Sequence, residues 1–79
     1  MSYSRDETTL VRELQVLCVH YDVTCKELTI AGLLDILLEA RAAAREEKHW
    51  AVADGIRQGI EKLGFEIQDT AHGPVWRKR

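Results

Sequence analysis

Apolar and polar residues follow the period of a helix through most of the chain. In the first segment the apolar positions recur at spacings of three and four, which predicts a helix with one apolar face. That face is formed by Leu10, Val11, Leu14, Leu17, Cys18 and Tyr21. Thr8 or Thr9 is the predicted N-cap, because a hydroxyl there accepts a hydrogen bond from a backbone N–H of the first turn. The segment from Asp22 to Leu28 breaks the period and is predicted to be a connection.

A second, longer apolar stripe predicts another helix, with Thr29 as its N-cap. Its positions follow the i, i+3, i+4, i+7, i+8 pattern of an amphipathic helix. They are Ile30, Leu33, Leu34, Leu37, Leu38 and Arg41. Ala42–Ala44 continue this helix, since alanine is the best helix former. We expect the chain to turn between Glu46 and His49.

The third stripe predicts a helix from about Trp50 to Leu63, ended by Gly64 at the position where a positive φ costs glycine little. The predicted buried face is Trp50, Ala53, Ile56, Ile60 and Leu63. Gly55 and Gly59 are four residues apart and therefore lie on one side of the helix. They indicate close packing against the second helix or, alternatively, the close approach of a ligand.

After Gly64 the period changes from that of a helix to that of a strand. Phe65, Ile67 and Asp69 alternate with more polar residues, which predicts a half-buried strand. Residues 71–74 are predicted to form a turn, and Val75–Arg77 to return antiparallel. The predicted fold is therefore mainly α: an antiparallel bundle of two to three helices followed by a short C-terminal β-hairpin.

The length and the charge of the chain limit the kinds of function it can have. A chain of 79 residues is one small domain, and its net charge of −2 argues against binding nucleic acid through bulk electrostatics. The charge is uneven: residues 1–37 carry three Lys/Arg and six Asp/Glu (3 − 6 = −3), and residues 38–79 carry eight and seven (8 − 7 = +1). The chain also closes on three cations, Arg77, Lys78 and Arg79. We therefore expect an anionic ligand to meet the C-terminal half.

The two cysteines, Cys18 and Cys25, are too few for a disulfide framework. The sequence shows neither a signal peptide nor an apolar run long enough to span a bilayer, so we expect a cytoplasmic protein with reduced thiols and no membrane partner. Cys18, His20 and Cys25 supply only three metal donors, at a spacing unlike paired Cys-x-x-Cys sites. We interpret them as packing residues and expect neither a metal nor a cofactor.

The most informative pattern runs through the C-terminal half. It reads R-x-x-A-R-x-x-K-x-W-x-x-A-D-x-I-R from Arg41 and then L-G-F-E-I-Q-D-T-x-x-G-x-x-W-R from Leu63. From Leu38 to Arg79 the chain resembles the anticodon-recognition module that ends bacterial cysteinyl-tRNA synthetases, which are class I aminoacyl-tRNA synthetases. The D-T-x-x-G-x-x-W hairpin directly after L-G is the most diagnostic part.

The resemblance implies an RNA partner, the anticodon stem-loop of cysteine tRNA, and a set of contacting residues. The family's arginine on the first hairpin helix and its two aspartates match Arg45, Asp54 and Asp69. Trp50 matches the aromatic residue one turn before Asp54, and Arg57 the arginine after it. Such residue types suit the reading of splayed bases through their edges and by stacking.

Two further residues complete the predicted RNA-binding set. Trp76 offers a second stacking face, and Arg77 begins the cationic tail that offsets the repulsion between the aspartates and phosphate.

Five of these seven residues also have a purely structural interpretation. Asp54 and Arg57 are spaced for a surface ion pair on one helix. Asp69 precedes a turn and could cap its own backbone. Trp50 and Trp76 could both belong to the core, with Trp76 fixing the hairpin to the helices.

The sequence lacks the nucleotide-binding motifs of a class I synthetase and its zinc site, so we expect no catalysis from this chain. It divides into residues 1–28, an unassigned N-terminal helix and connection, and residues 29–79, the module that resembles the synthetase end. The first helix is expected to cover the apolar face of the module, to associate with a second copy, or to meet a synthetase catalytic domain. The alternatives to tRNA binding are a helical-hairpin protein-interaction module and a free-standing relative that has lost its RNA.

Overall fold

The computed structural model describes residues 7–24 and 29–79. It contains three helices, α1 (Glu7–His20), α2 (Ile30–Glu46) and α3 (Trp50–Lys62), followed by two strands, β1 (Phe65–Thr70) and β2 (Gly73–Lys78). The strands form one antiparallel hairpin. The predicted mainly α fold with a C-terminal hairpin is therefore confirmed. Part of the predicted connection, residues 25–28, lies outside the described residues, as does Cys25.

The helix ends show why these segments begin and stop where they do. Thr29 has an extended backbone, and its Oγ1 accepts a hydrogen bond from the Gly32 N–H at 3.1 Å, which confirms the predicted cap of α2. The predicted cap of α1 is wrong, because that helix begins at Glu7 and places Thr8 and Thr9 inside it. At the end of α2, Lys48 adopts a left-handed φ of 62°, which reverses the chain into α3.

One apolar core joins all three helices and the first strand. The buried cluster consists of Leu10, Leu14, Cys18, Leu33, Leu34, Leu37, Ile56, Ile60 and Phe65. The buried positions of α1 and α2 follow the predicted apolar stripes, because residues spaced by three and four share one helix face. Cys18 is fully buried in this core, in keeping with a packing role.

The prediction for the α3 glycines is wrong about their partner. A Cβ at Gly55 would collide with the Tyr21 side chain, and a Cβ at Gly59 would lie 2.7 Å from Leu17 Cδ1. Both partners belong to α1 or directly follow it, so the glycine face of α3 receives α1 and not α2. Close packing is the correct part of that prediction.

The hairpin is fixed to the helices by one aromatic side chain. Trp76 meets Phe65 edge to face at a ring-centroid distance of 5.8 Å, and its Nε1 donates to Asp35 Oδ1 on α2 at 3.1 Å. The turn is shorter than predicted: Gly73 and Pro74 belong to β2, leaving Ala71 and His72 between the strands. Gly64 has a φ of +98° after α3, as expected for a helix C-terminus.

Trp50 departs most from its predicted place. It was expected on the buried face of α3, but 55% of its surface is exposed. The cause is its position as the first residue of the helix. Cα–Cβ bonds tilt toward the helix N-terminus, so its ring projects past the end of α3 instead of onto the core. Among the described residues, no helix is long and apolar enough to cross a membrane.

Candidate functional site

A cavity of about 260 Å³, open to solvent, lies where the end of α2, the start of α3 and the end of β1 meet. Its lining is charged and aromatic: Arg41, Arg45, Trp50, Ala53, Asp54, Arg57 and Asp69. Five of the seven predicted RNA-binding residues therefore meet in one place. We call this the α2–α3 cavity.

The firmest contact in the α2–α3 cavity is a two-pronged ion pair. Arg41 Nη1 donates to Asp69 Oδ1 and Arg41 Nη2 to Asp69 Oδ2, both at 3.1 Å. The two side chains differ in exposure, with 8% of the Arg41 side chain and 56% of the Asp69 side chain accessible. A guanidinium fork matches the two oxygens of a carboxylate, so the pair sets the orientation of the carboxylate as well as holding it.

Arg45 makes a weaker contact with the same carboxylate. Its Nη1 lies 3.5 Å from Asp69 Oδ2, and 48% of its side chain is exposed. The hydrogen bonds from Arg41, the positive charges of Arg41 and Arg45, and the weaker bond from Arg45 lower the pKa of Asp69, against the opposing effect of burial. The lowered pKa extends the range of acid pH over which Asp69 stays an ionised acceptor. Its carboxylate bonds to Arg41 and Arg45, and it does not cap its own turn.

The hairpin turn has a different polar residue to stabilise it. Thr70 Oγ1 accepts a hydrogen bond from the His72 N–H at 3.2 Å and donates to the Gly73 carbonyl at 2.6 Å. This leaves Asp69, one residue earlier, available to the cavity.

The first turns of α3 supply the remaining wall. Trp50 and Asp54 are one turn apart on α3, and Arg57 follows Asp54 by three residues. The side chains of Asp54 and Arg57 are both exposed and make no hydrogen bond or ion pair with residues 7–24 and 29–79. The surface ion pair that their spacing allows is not formed. The cavity thus presents a carboxylate and a guanidinium to solvent, beside an exposed indole.

Trp76 and Arg77 lie outside the α2–α3 cavity. The Trp76 ring is half-buried and tied to Asp35, so the structural interpretation holds for this tryptophan. Arg77 pairs with Glu66, its neighbour across the two strands. Their predicted role in the same site has no support from their positions.

Arg41 is the residue that the sequence prediction of the site missed. It was included only as the last member of the α2 apolar stripe, where it is 7% exposed. A charged residue at a core position is rarely buried unless it is paired. This was a usable signal that an acidic partner lay elsewhere in the chain, although the periodicity gave no hint that the partner was Asp69.

The fold and the cavity together define a small, mainly α domain with a charged and aromatic surface cavity. Over residues 33–77 the chain matches the family described as the cysteinyl-tRNA ligase anticodon binding domain. The chain belongs to this family.

Individual relatives agree with that assignment. A cysteine–tRNA ligase of Heliobacterium modesticaldum is 48% identical over 50 residues, 63% of this chain and 10% of that protein. Its counterpart in Moorella thermoacetica is 41% identical over 49 residues, again 10% of its length. The cysteine–tRNA ligase of Thermococcus gammatolerans is 44% identical over 46 residues. The chain therefore matches about a tenth of these relatives. No solved structure matches it.

Proposed function

We propose that this chain is a non-catalytic tRNA-binding module that reads anticodon bases of cysteine tRNA in the α2–α3 cavity. The observation that carries the proposal is the meeting of Arg45, Trp50, Asp54, Arg57 and Asp69 around one open cavity. These residues come from two helices and a strand, and the family match covers all of them.

The chemistry of the cavity supports recognition of bases over general attraction to phosphate. Asp54 and Asp69 offer acceptors that suit the exocyclic amine of cytosine or the paired N–H donors of guanine. Arg45 and Arg57 offer donors to a base edge or a phosphate, and the exposed ring of Trp50 offers a stacking surface. The two aspartates repel phosphate, so binding depends on a base that donates hydrogen bonds to them. This requirement is consistent with a chain whose net charge is −2.

The test is binding of cysteine tRNA and of the same tRNA with a changed anticodon, at one fixed salt concentration. We expect the chain to prefer the unchanged tRNA. Asp54→Asn and Asp69→Asn should each remove the preference without unfolding the domain. Glu39→Gln is the matched control, because it removes one carboxylate from a different groove, between α2 and Pro74.

The alternative function is a protein-interaction module. Val16 and Val19 favour it, because α1 exposes 64% and 74% of these two apolar residues on a side separate from the α2–α3 cavity. Equal affinity for both tRNAs would rule out anticodon reading. Binding of neither, together with concentration-dependent association in sedimentation that Val16→Ser/Val19→Ser abolishes, would establish the alternative.

A further inference from the structure

Two arginines contact one carboxylate in the α2–α3 cavity, and their surroundings differ. Arg41 is enclosed by the fold, with 8% of its side chain accessible, and holds both oxygens of Asp69. Arg45 reaches one oxygen at 3.5 Å and is half exposed. The first contact is geometrically fixed, whereas the second is long and open to competition from solvent or a ligand.

The Arg41 contact leaves the carboxylate able to bind something else. An ionised carboxylate offers about four acceptor positions, two on each oxygen. Arg41 occupies one on each, and 56% of the Asp69 side chain remains accessible. Asp69 also lines the cavity, so it is held by Arg41 and still has acceptor positions for another donor.

Neither partner of this pair is easily replaced. A buried guanidinium requires an anion, because an unpaired charge is costly to remove from water. A carboxylate attached to a strand near its turn, without a fork behind it, would sample several rotamers. Each side chain therefore fixes the other: Asp69 satisfies Arg41, and Arg41 sets the plane of the Asp69 oxygens.

We propose that Arg41 is a positioning residue for RNA recognition, which holds the Asp69 carboxylate in one orientation in the cavity as an acceptor for a base amine. Arg45 is the arginine that leaves Asp69 when RNA enters and makes its own contact with the RNA. This inference rests on the proposed function. It assigns different roles to Arg41 and Arg45, which lie four residues apart on α2.

The experiment compares Arg41→Met, Arg41→Lys, Asp69→Asn and the double variant Arg41→Met/Asp69→Asn in the full chain. Each is checked for helix content, and its affinity for cysteine tRNA and for the changed-anticodon tRNA is measured from neutral to acid pH. We expect Arg41→Met to reduce the preference by about 10- to 100-fold, the range for losing a charged hydrogen bond. In the Asp69→Asn background, where the preference is already expected to be lost, the readout is the affinity for cysteine tRNA, and the same substitution should leave it unchanged because Arg41 acts only through Asp69.

Two further readouts separate positioning from simple support of the fold. Arg41→Lys keeps the charge without the fork, so it should stay folded and recover only part of the preference. The preference of Arg41→Met should also weaken at a higher pH than that of the wild-type chain, because its Asp69 takes up a proton more readily. Arg45→Met should lower the affinity for both tRNAs and leave the onset of that pH dependence closer to wild type.

The outcomes for this inference and for the proposed function are distinguishable. A wild-type chain that binds both tRNAs equally overturns the proposed function and the inference with it. A preference of wild-type size in folded Arg41→Met, with an unchanged pH dependence, overturns the inference alone. An Arg41→Met loss of affinity for cysteine tRNA that is undiminished in the Asp69→Asn background also overturns it, since Arg41 would then act by another route.

Discussion

The two tryptophans show how one residue type serves opposite purposes in this domain. Trp76 is half-buried against Phe65 and hydrogen-bonded to Asp35, so it holds the hairpin onto α2. Trp50 has no such role, since it is 55% exposed and lines the α2–α3 cavity. Its exposed indole face lies beside Asp54 and Arg57 and is accessible to a ligand.

The two rings should therefore respond differently to mutation. Trp50→Ala should change the free energy of unfolding by less than about 0.5 kcal/mol, as at other exposed positions. It should weaken tRNA binding by about 1–3 kcal/mol, the range for one stacked base. Trp76→Phe keeps the apolar ring and loses the bond to Asp35, so it should lower stability by up to about 1 kcal/mol and leave the anticodon preference intact.

Urea denaturation and tRNA titration of both variants measure these effects. A Trp50→Ala chain that binds tRNA as well as the wild type would remove stacking from the proposed mechanism.

Asp69 gives the domain a pH dependence whose sign is fixed by its partners. The folded-state pKa of Asp69 lies below its ordinary value of 3.8, chiefly because of the Arg41 hydrogen bonds. The folded chain therefore binds this proton less readily than the unfolded chain. The resulting stability is complete above the ordinary pKa and is lost as the pH falls through the lower folded-state value.

Comparison of the wild type with Asp69→Asn tests this dependence. At neutral pH the variant should be less stable, because Arg41 loses its anion. The difference in free energy of unfolding should shrink as the pH is lowered from about 5 to about 2, where the wild-type carboxyl also becomes neutral. A difference that stays constant over that range would show that the ion pair contributes nothing to folding.

At the scale of the elements, α1 and α3 meet through glycine. The sequence marked Gly55 and Gly59 as a close-packing face, and the structure places the Tyr21 and Leu17 side chains against them. Each glycine costs α3 about 1 kcal/mol relative to alanine. That cost is offset only while α1 is docked.

Gly55→Ala should therefore destabilise the wild-type chain, because the new Cβ would lie 2.8 Å from Tyr21 Cζ in a ring that cannot bend away. In a Tyr21→Ala background the same substitution should stabilise the chain by up to about 1 kcal/mol. Gly59→Ala is the milder control, because it meets the ends of the flexible Leu17 side chain. Thermal unfolding of the four chains in the Gly55/Tyr21 cycle measures the coupling. The same sign in both backgrounds would contradict the packing argument.

The elements and the site were not equally predictable from the sequence. Thr29, the apolar repeat of α2 and the change of period after Gly64 are local signals, and they located α2, α3 and the hairpin closely. The partner of a side chain is not local: Arg41 and Asp69 are 28 residues apart, and neither the period nor the spacing links them. The predicted burial of Trp50 was wrong for a different reason: the helical period assigns a residue to a face, but it does not account for the tilt of the first side chain past the helix N-terminus.

At the scale of the whole molecule, α1 and the family module share one core. The family match begins at residue 33, yet Leu10, Leu14 and Cys18 of α1 are buried with Leu33, Leu37 and Ile60. A domain of this size has little stability to spare. The N-terminal segment is therefore part of what makes the module fold, whatever else its exposed side contacts.

This argument predicts that residues 29–79 alone, the module as divided by sequence, will lack a cooperative unfolding transition. Removal of α1 takes away two fully buried side chains, Leu14 and Cys18, and uncovers the glycine face of α3. In the full chain Leu14→Ala should cost about 2–5 kcal/mol. Val16→Ala, on the exposed side of the same helix, should cost less than about 0.5 kcal/mol.

Circular dichroism during thermal unfolding compares the 29–79 fragment, Leu14→Ala and Val16→Ala with the full chain. A peptide of residues 1–24 added to the 29–79 fragment should restore its structure if the fragment lacks only the docking of α1. Restoration would show that α1 acts by covering the core, since no covalent link is then required. A 29–79 fragment that unfolds cooperatively at the temperature of the full chain would instead make the boundary at residue 28 a true domain boundary. The first helix would then be free to serve a partner without weakening the module of residues 29–79.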